Sequence, residues 1–277
     1  MEAPVRRRPY TGPVRAVVLD WAGTAVDFGC MGPVGAFIQV LQEEGVRITA
    51  AEARQSMGLK KIDHLRALCG MGSIRERWKA SRGRGIDEGD IQRMYDRLEP
   101  LMIETIAAHS DPVPGLLEFV SRCKARNIRI GSTTGYTRPI MDVLLEQAAG
   151  KGYRPDCVVT SSDVPEGRPS PFMCYRNAIE LQVYPMEAMV KIGDTVSDIQ
   201  EGLNAGMWTV ALTLSGSEMG LSGQELASLR TDELQGRIEA VSTRFRAEGA
   251  HYVALDIGHC WTALEDIEAR LSSGERP

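Results

Sequence analysis

The spacing of apolar residues divides this chain into two kinds of texture. Residues 14–19 form a short, nearly unbroken apolar run closed by Asp20. Such a run predicts a buried strand with a carboxylate at its carboxyl end. From about residue 34 to 105 the spacing turns helical, with no strong strand signal. Thr49-Ala50-Ala51-Glu52 has the form of a capping box and predicts a helix through Ala53 and Ser56; Gly58 supplies a stop or kink, and residues 59–68 resume the helical spacing. Residues 90–106 give another helix on Ile91, Met94, Leu98, Leu101 and Met102, after the polar connection Ser81-Arg82-Gly83-Arg84-Gly85. From Asp111 onward short apolar strands alternate with helices. Pro114-Gly115 opens a helix that Asn127 can end, and strands follow at 128–132, 157–160, 189–192 and 209–212, with an outer strand at 251–255 and a closing helix at 261–271. This alternation predicts an α/β fold, a doubly wound parallel sheet interrupted after its first strand by helices. The expected division is 14–28 and 107–277 for the sheet domain, 29–106 for an inserted helical domain, and 1–13 for a disordered tail.

Composition narrows the class of function. The 277 residues are 43% hydrophobic and 25% charged, ordinary for a soluble globular protein, and the net charge is −5. No global basic field draws such a chain to nucleic acid or to anionic membranes, and no stretch approaches the ~20 apolar residues of a membrane span. Arg6-Arg7-Arg8 is followed by Pro9, Tyr10 and Thr11, so it does not resemble a secretory signal. The six cysteines show no CxxC pair and read as reduced core thiols, with a cytoplasmic location expected.

Four segments carry candidate chemistry. The first is Asp20-Trp21-Ala22-Gly23-Thr24: a carboxylate at a strand end, a glycine that permits close backbone approach to a phosphate, and a hydroxyl that can brace the loop. The second, Ile130-Gly131-Ser132-Thr133-Thr134-Gly135, ends a strand in hydroxyls suited to phosphoryl oxygens, although alone it reads as a plain Ser/Thr turn. Thr137 and Pro139 then open a helix whose amino end also favours an anion. The third, Gly167-Arg168-Pro169-Ser170-Pro171, offers a cation that can offset repulsion between Asp20 and a phosphoryl group; alone it reads as a solvated loop. The fourth, Lys191-Ile192-Gly193-Asp194-Thr195-Val196-Ser197-Asp198, brings two carboxylates that suit Mg²⁺, or that merely cap a helix.

In this order the four segments resemble the motifs of the haloacid dehalogenase (HAD) superfamily, which implies a Rossmann-like core with a helical cap. The resemblance implies Asp20 as nucleophile and Mg²⁺ held by Asp20, the backbone carbonyl of Ala22 and Asp194, with Asp198 in support. It also implies Gly23, Thr134 and Arg168 on the phosphoryl group. Most phosphatases of that superfamily have a second Asp where this chain has Ala22, and a methyl group cannot protonate a leaving group. Met57-Gly58-Leu59-Lys60-Lys61-Ile62-Asp63-His64 resembles the cap signature of the phosphonoacetaldehyde hydrolase (phosphonatase) family. The likeness extends from about Arg15 to the C-terminal helix. It includes Asp27-Phe28-Gly29-Cys30, Tyr136-Thr137-Arg138, Asp163-Val164-Pro165, Met173-Cys174-Tyr175 and Asn204-Ala205-Gly206-Met207-Trp208.

That family implies a Lys61 Schiff base with the aldehyde of phosphonoacetaldehyde. It implies His64 assisting proton transfer with Met57 packed nearby, an aspartyl-phosphate on Asp20, and a homodimer. Lys60 occupies the less favoured position. Adjacent cations, partial burial and a helix amino end are expected to lower the Lys61 pKa. His109, His251 and His259 show no metal-ligand spacing and receive no role. Two other readings remain at this point: a metal-independent 2-haloacid dehalogenase, which Asp194 and Asp198 argue against, and an inactive HAD scaffold that binds a ligand.

Overall fold

Strand β1, Ala16–Leu19, is buried along its whole length because other strands flank it on both sides. The computed structural model describes residues 9–277, so Arg6, Arg7 and Arg8 lie outside the described residues. β1 is joined by β2 (Arg129–Thr134), β3 (Cys157–Thr160), β4 (Met189–Gly193), β5 (Trp208–Leu212) and β6 (Tyr252–Ala254). All pairings are parallel and the order is β3-β2-β1-β4-β5-β6. The winding reverses between β1 and β4, and the crevice beyond the carboxyl ends of these strands is where α/β sheets bind ligands.

Between β1 and β2 the chain inserts five helices: α1 (Met31–Glu43), α2 (Ala50–Arg54), α3 (Lys61–Gly70), α4 (Gly72–Arg82) and α5 (Glu88–Ile106). The capping box at Thr49 and Glu52 forms, but α2 stops at Arg54, before Ser56. The next helix begins at Lys61, two residues later than the spacing suggests. Gly58 has φ +90 and Lys60 is extended, so residues 57–60 remain a loop. α5 starts earlier than residue 90, because Asp87 and Asp90 make a reciprocal capping box ahead of the apolar stripe. α5 packs on both α1 and α3, and α3 on α4, around Phe37, Leu65, Leu68, Trp78 and Leu98, all fully buried.

The rest of the sheet domain follows the alternation. α6 (Leu116–Ala125), α7 (Arg138–Gly150), α8 (Phe172–Glu180), α9 (Val196–Ala205) and α12 (Cys260–Ser272) connect or cover the strands, and α10 (Gly223–Ser228) and α11 (Thr231–Ala247) fill a stretch where the apolar spacing gives no element. The reason is plain in α11, which buries only Ser242 and Phe245 and so has no apolar stripe to show. The expected tail is shorter than residues 1–13 in the described part. Tyr10 packs against two apolar clusters, and its hydroxyl donates to the Pro13 carbonyl at 2.7 Å. Among the described residues no helix is long and apolar enough to cross a membrane.

Helix α9 lies unusually close to the sheet. A Cβ at Gly202 would stand 2.6 Å from Thr209 Cγ2 and 2.8 Å from Lys191 Cβ. The bare glycine therefore lets α9 carry Asp198 and Glu201 down to β4. Gly202→Ala would gain about 1 kcal/mol of helix propensity, but overpacking a filled contact costs about 1–3 kcal/mol. A lower urea midpoint is expected; a raised midpoint would contradict this packing.

Candidate active site

At the carboxyl end of β1, the Asp20 N–H donates to the Ile192 carbonyl of β4 at 3.0 Å, which fixes the loop that follows. Its side chain meets Arg168, brought over by the loop after β3, with Nη2 to Oδ1 at 2.7 Å. The guanidinium makes several further contacts and keeps one Nη1 N–H free of a partner among the described residues. Nη2 also lies 3.0 Å from Asp198 Oδ1 and donates to the Thr133 carbonyl and hydroxyl, Nε donates to Glu201 Oε2 at 2.9 Å, and Nη1 donates to the Gly58 carbonyl at 3.3 Å. Lys191, in the middle of β4, donates to Asp198 Oδ1 at 2.7 Å and lies 3.4 Å from Glu201 Oε2. Asp194 accepts from the Thr24 hydroxyl at 2.8 Å and from the Ser217 N–H and hydroxyl at 2.8 and 3.0 Å.

Four buried carboxylates, Asp20, Asp194, Asp198 and Glu201, thus face two buried cations, Arg168 and Lys191. Burial pushes the Asp194 carboxyl well above the usual carboxylate range, and the like charges of Asp20 and Asp198 add to it. Asp20 is raised by burial, with Arg168 opposing. Asp198 also suffers burial, yet Arg168 and Lys191 hold it below the usual range. The surplus of negative charge is what a divalent cation would balance. Carboxylate oxygens of Asp20, Asp194 and Asp198 lie within 4.8 Å of one another, and hard oxygens suit such an ion. The Ala22 carbonyl accepts no hydrogen bond among the described residues. Asp198 is different: one oxygen is held by Lys191 and Arg168, the other by Thr195 in the α9 capping box. Asp198 thus caps α9 and pairs with both buried cations at once.

The helical insertion reaches this cluster through residues 57–60. A Cβ at Gly58 would stand 2.5 Å from Thr195 Oγ1, and one at Gly135 would stand 2.3 Å from the Leu59 carbonyl. Loops after β2 and β4 therefore receive the segment only because both positions are glycine. Met57 is buried, and its carbonyl accepts from Ser197 Oγ at 3.4 Å. Lys61, the first residue of α3, is buried with Nζ 4.6 Å from the Tyr136 ring centroid, whereas Lys60 is partly exposed. Burial lowers the Lys61 amine to about 8; Asp20 and Asp194 hold it up and Arg168 pushes it down. The neighbouring cation that lowers it is Arg168; Lys60 is not among the leading influences. Nearby Cys30 also holds the amine up, while its own thiol is driven up by burial and by Asp194 and Asp27.

His64 is fully buried against Phe37, their ring centroids 4.0 Å apart. Nε2 lies 2.9 Å from the Ala53 carbonyl, an acceptor only, so the ring proton belongs on Nε2 and the lone pair on Nδ1. Nδ1 has no partner among the described residues, nor has the Tyr136 hydroxyl. Burial, with the Lys61 charge, lowers the imidazole to about 3.

The structure brings Asp20, Ala22, Gly23, Met57, Lys61, His64, Thr134, Arg168, Asp194 and Asp198 to one end of the sheet. Gly23 is needed for room, since a Cβ there would stand 2.5 Å from Asp194 Oδ2, while its N–H is engaged by the Val26 carbonyl at 2.7 Å. Thr134 accepts the Tyr136 N–H at 3.1 Å, leaving its hydroxyl proton free to donate. Sequence reasoning missed Lys191, Glu201, Thr133 and Ser217. A lysine within the buried run Val190-Lys191-Ile192 was the signal, because such a residue stays inside only when paired.

The sequence model of haloacid dehalogenase-like hydrolases matches residues 14–206. The chain is 56% identical to a phosphonoacetaldehyde hydrolase of Syntrophobacter fumaroxidans over the whole of both sequences. It is 48% identical to one of Bacillus cereus over 92% of this chain and 97% of that one. The crystal structure of a phosphonoacetaldehyde hydrolase like protein from Oleispira antarctica superposes with a TM-score of 0.96, at 38% identity and full coverage of both chains. The chain belongs to the haloacid dehalogenase-like hydrolases and, among them, to the phosphonoacetaldehyde hydrolase family.

Proposed function

We propose that this enzyme hydrolyses the carbon–phosphorus bond of phosphonoacetaldehyde to acetaldehyde and phosphate, through an imine on Lys61 and a phosphoryl group on Asp20. One observation carries the reading. A buried amine with a lowered pKa stands at the same site as a buried carboxylate, while Ala22 supplies no acid for ordinary ester hydrolysis. We assign the inserted helices, residues 29–106, to a cap over the sheet domain formed by 14–28 and 107–277.

Attack at phosphorus alone would expel a carbanion. The neutral Lys61 amine adds to the aldehyde carbon, and loss of water leaves a protonated imine. A carboxylate oxygen of Asp20 then forms a bond to phosphorus, the carbon–phosphorus bond breaks, and its electron pair flows into the imine to give an enamine. Protonation at carbon and hydrolysis return acetaldehyde and the free amine, and water clears the phosphoryl group from Asp20. The Nδ1 lone pair of His64 can accept a proton from the carbinolamine, and its low pKa means that it passes the proton on. Arg168 and the Thr134 hydroxyl steady the phosphoryl oxygens. We assign Mg²⁺ to Asp20, the Ala22 carbonyl and Asp194, where it would offset charge repulsion between nucleophile and phosphoryl group.

A homodimer is part of the same proposal. α8 and the turn after it expose Phe172, Tyr175, Ile179 and Tyr184, with Ile179 75% and Tyr184 72% accessible, a cluster of large apolar groups that suits a second copy of the chain.

Three outcomes are expected. Lys61→Arg keeps the charge but cannot form the imine, so phosphate release should fall by about 10³-fold or more, and borohydride with the aldehyde should tag Lys61 in the wild type. Near-normal turnover by the Arg variant, or a tag confined to Lys60, would overturn the assignment. Because only the neutral amine attacks, the rate of imine formation should rise with pH and level off above about 8, the value to which burial lowers Lys61; a rate that is flat or falls from pH 6 to 9 would contradict a lysine of lowered pKa. Ile179→Glu should convert a sedimenting dimer to monomer, and a dimer that persists would place the interface elsewhere.

A further inference from the structure

The two stretches that join the helical insertion to the sheet domain lie side by side. The Asp27 N–H donates to the Asp111 carbonyl at 3.2 Å and the Val113 N–H to the Ala25 carbonyl at 3.0 Å, so outgoing and returning linkers form a short antiparallel pair. The outgoing one is also pinned to the sheet domain, where the Gly29 N–H donates to the Ser215 carbonyl at 2.7 Å.

One carboxylate ties this hinge to both ends of the insertion. Asp27 Oδ1 accepts the Met31 N–H at 3.1 Å and Oδ2 the Gly32 N–H at 2.9 Å, satisfying two donors at the amino end of α1. Cys30, the formal cap residue, makes no side-chain capping bond and cannot serve in this way. Asp27 Oδ1 also meets His109 Nδ1 at 3.1 Å, and His109 closes the turn that follows α5. The imidazole packs directly on α1, since a Cβ at Gly32 would stand 3.0 Å from its ring. Asp27 and Cys30 both hold left-handed backbone, φ 56 and 52, which costs more than an ordinary turn and persists only where neighbouring bonds fix it.

The insertion meets the sheet domain again at the far side, where α5 packs on α7 and Thr137 Oγ1 donates to Glu99. Residues 57–60 reach the sheet domain through Arg168 Nη1 to the Gly58 carbonyl at 3.3 Å and Ser197 Oγ to the Met57 carbonyl at 3.4 Å. α1 packs along α5 and α5 along α3, whose first residue is Lys61. A shift at the hinge is therefore carried by rigid, packed helices to the amine.

We propose that Asp27 and His109 are positioning residues: their pair pins the hinge and sets where the helical insertion docks, and thereby where Lys61 stands relative to Asp20. The catalytic consequence rests on the proposed phosphonoacetaldehyde reaction, and the docking itself does not.

The test compares His109→Leu with His109→Asn in the full chain, because the Asn amide can offer an N–H to the same Asp27 oxygen. The first readout is amide hydrogen exchange at residues 58–60 and 135–137 in the free enzyme, which reports docking whatever the substrate. Exchange there should quicken about tenfold or more in the Leu variant, by the loss of one bond to a charged group, and stay within about threefold of wild type in the Asn variant. The second readout is turnover of phosphonoacetaldehyde, where kcat should fall about tenfold in the Leu variant with KM changing less, and should recover in the Asn variant. Unchanged exchange at 58–60 in the Leu variant overturns the proposal, even if its unfolding midpoint drops. So does an Asn variant as impaired as Leu. Should His109→Leu not fold, Asp27→Asn, which keeps one helix-capping acceptor and loses the charge, is expected to show the same local quickening, and wild-type exchange there overturns the pin. Quickened exchange in an enzyme whose wild type does not turn over phosphonoacetaldehyde would sink the substrate reading and leave the hinge standing.

Discussion

Charge balance in a dry crevice is the constraint on which the rest of this structure depends. Asp20, Asp194, Asp198 and Glu201 are all buried at the switch point of the sheet, where each isolated carboxylate would carry a heavy desolvation cost. Arg168 and Lys191 offset part of it, and each reaches two or more of the four. The glycines follow from the same crowding. Gly193 and Gly216 come so close to Asp198 and Asp194 that a Cβ would overlap them, at 2.2 and 2.4 Å from the nearest side-chain carbon, and Gly202 lets α9 reach the sheet at all. The remaining negative charge could be balanced by a divalent cation, and it gives the proposed nucleophile a field that a cationic partner or a cationic intermediate would relieve.

Lys61 belongs to that field as well, although it arrives on another part of the chain. Its amine is lowered by burial and sustained by Asp20 and Asp194, so it sits near the point at which it can be either an attacking amine or a cation. Tyr136 and His64 leave a hydroxyl and a ring nitrogen unpartnered among the described residues, and both belong to the surroundings of Lys61. A ligand with a carbonyl oxygen would supply what these groups lack. Ala22 is then the counterpart of Lys61, because a reaction that draws the electron pair into an imine does not need an acid beside the nucleophile.

Much of this was legible in the sequence, and the failures have physical causes. The order of Asp20, Thr134, Arg168 and Asp194 along the chain follows strand ends, and strand ends are marked by short apolar runs, so the sheet and the site were read together. Lys61 is separated from Lys60 by motif position; in the fold the first begins a helix and is buried, and the second precedes it and is partly exposed. What escaped were residues whose partners are distant in sequence. Lys191 and Glu201 look like a stray strand lysine and a helix-surface glutamate until Arg168 and Asp198 are placed beside them. Asp27 stood out only as part of the family likeness, and nothing local pairs it with His109, 82 positions away. α11 escaped for the opposite reason, having so little buried surface that no pattern was needed to form it.

The central claim is that the imine on Lys61 forms first and that Asp20 then breaks the carbon–phosphorus bond. The most direct measurement is the mass of the borohydride-reduced adduct on Asp20→Ala after incubation with phosphonoacetaldehyde. The account predicts a tag on Lys61 that still contains phosphorus, because the electron sink is built but nothing attacks phosphorus. A tag from which phosphorus has been lost, or no tag at all, would contradict it.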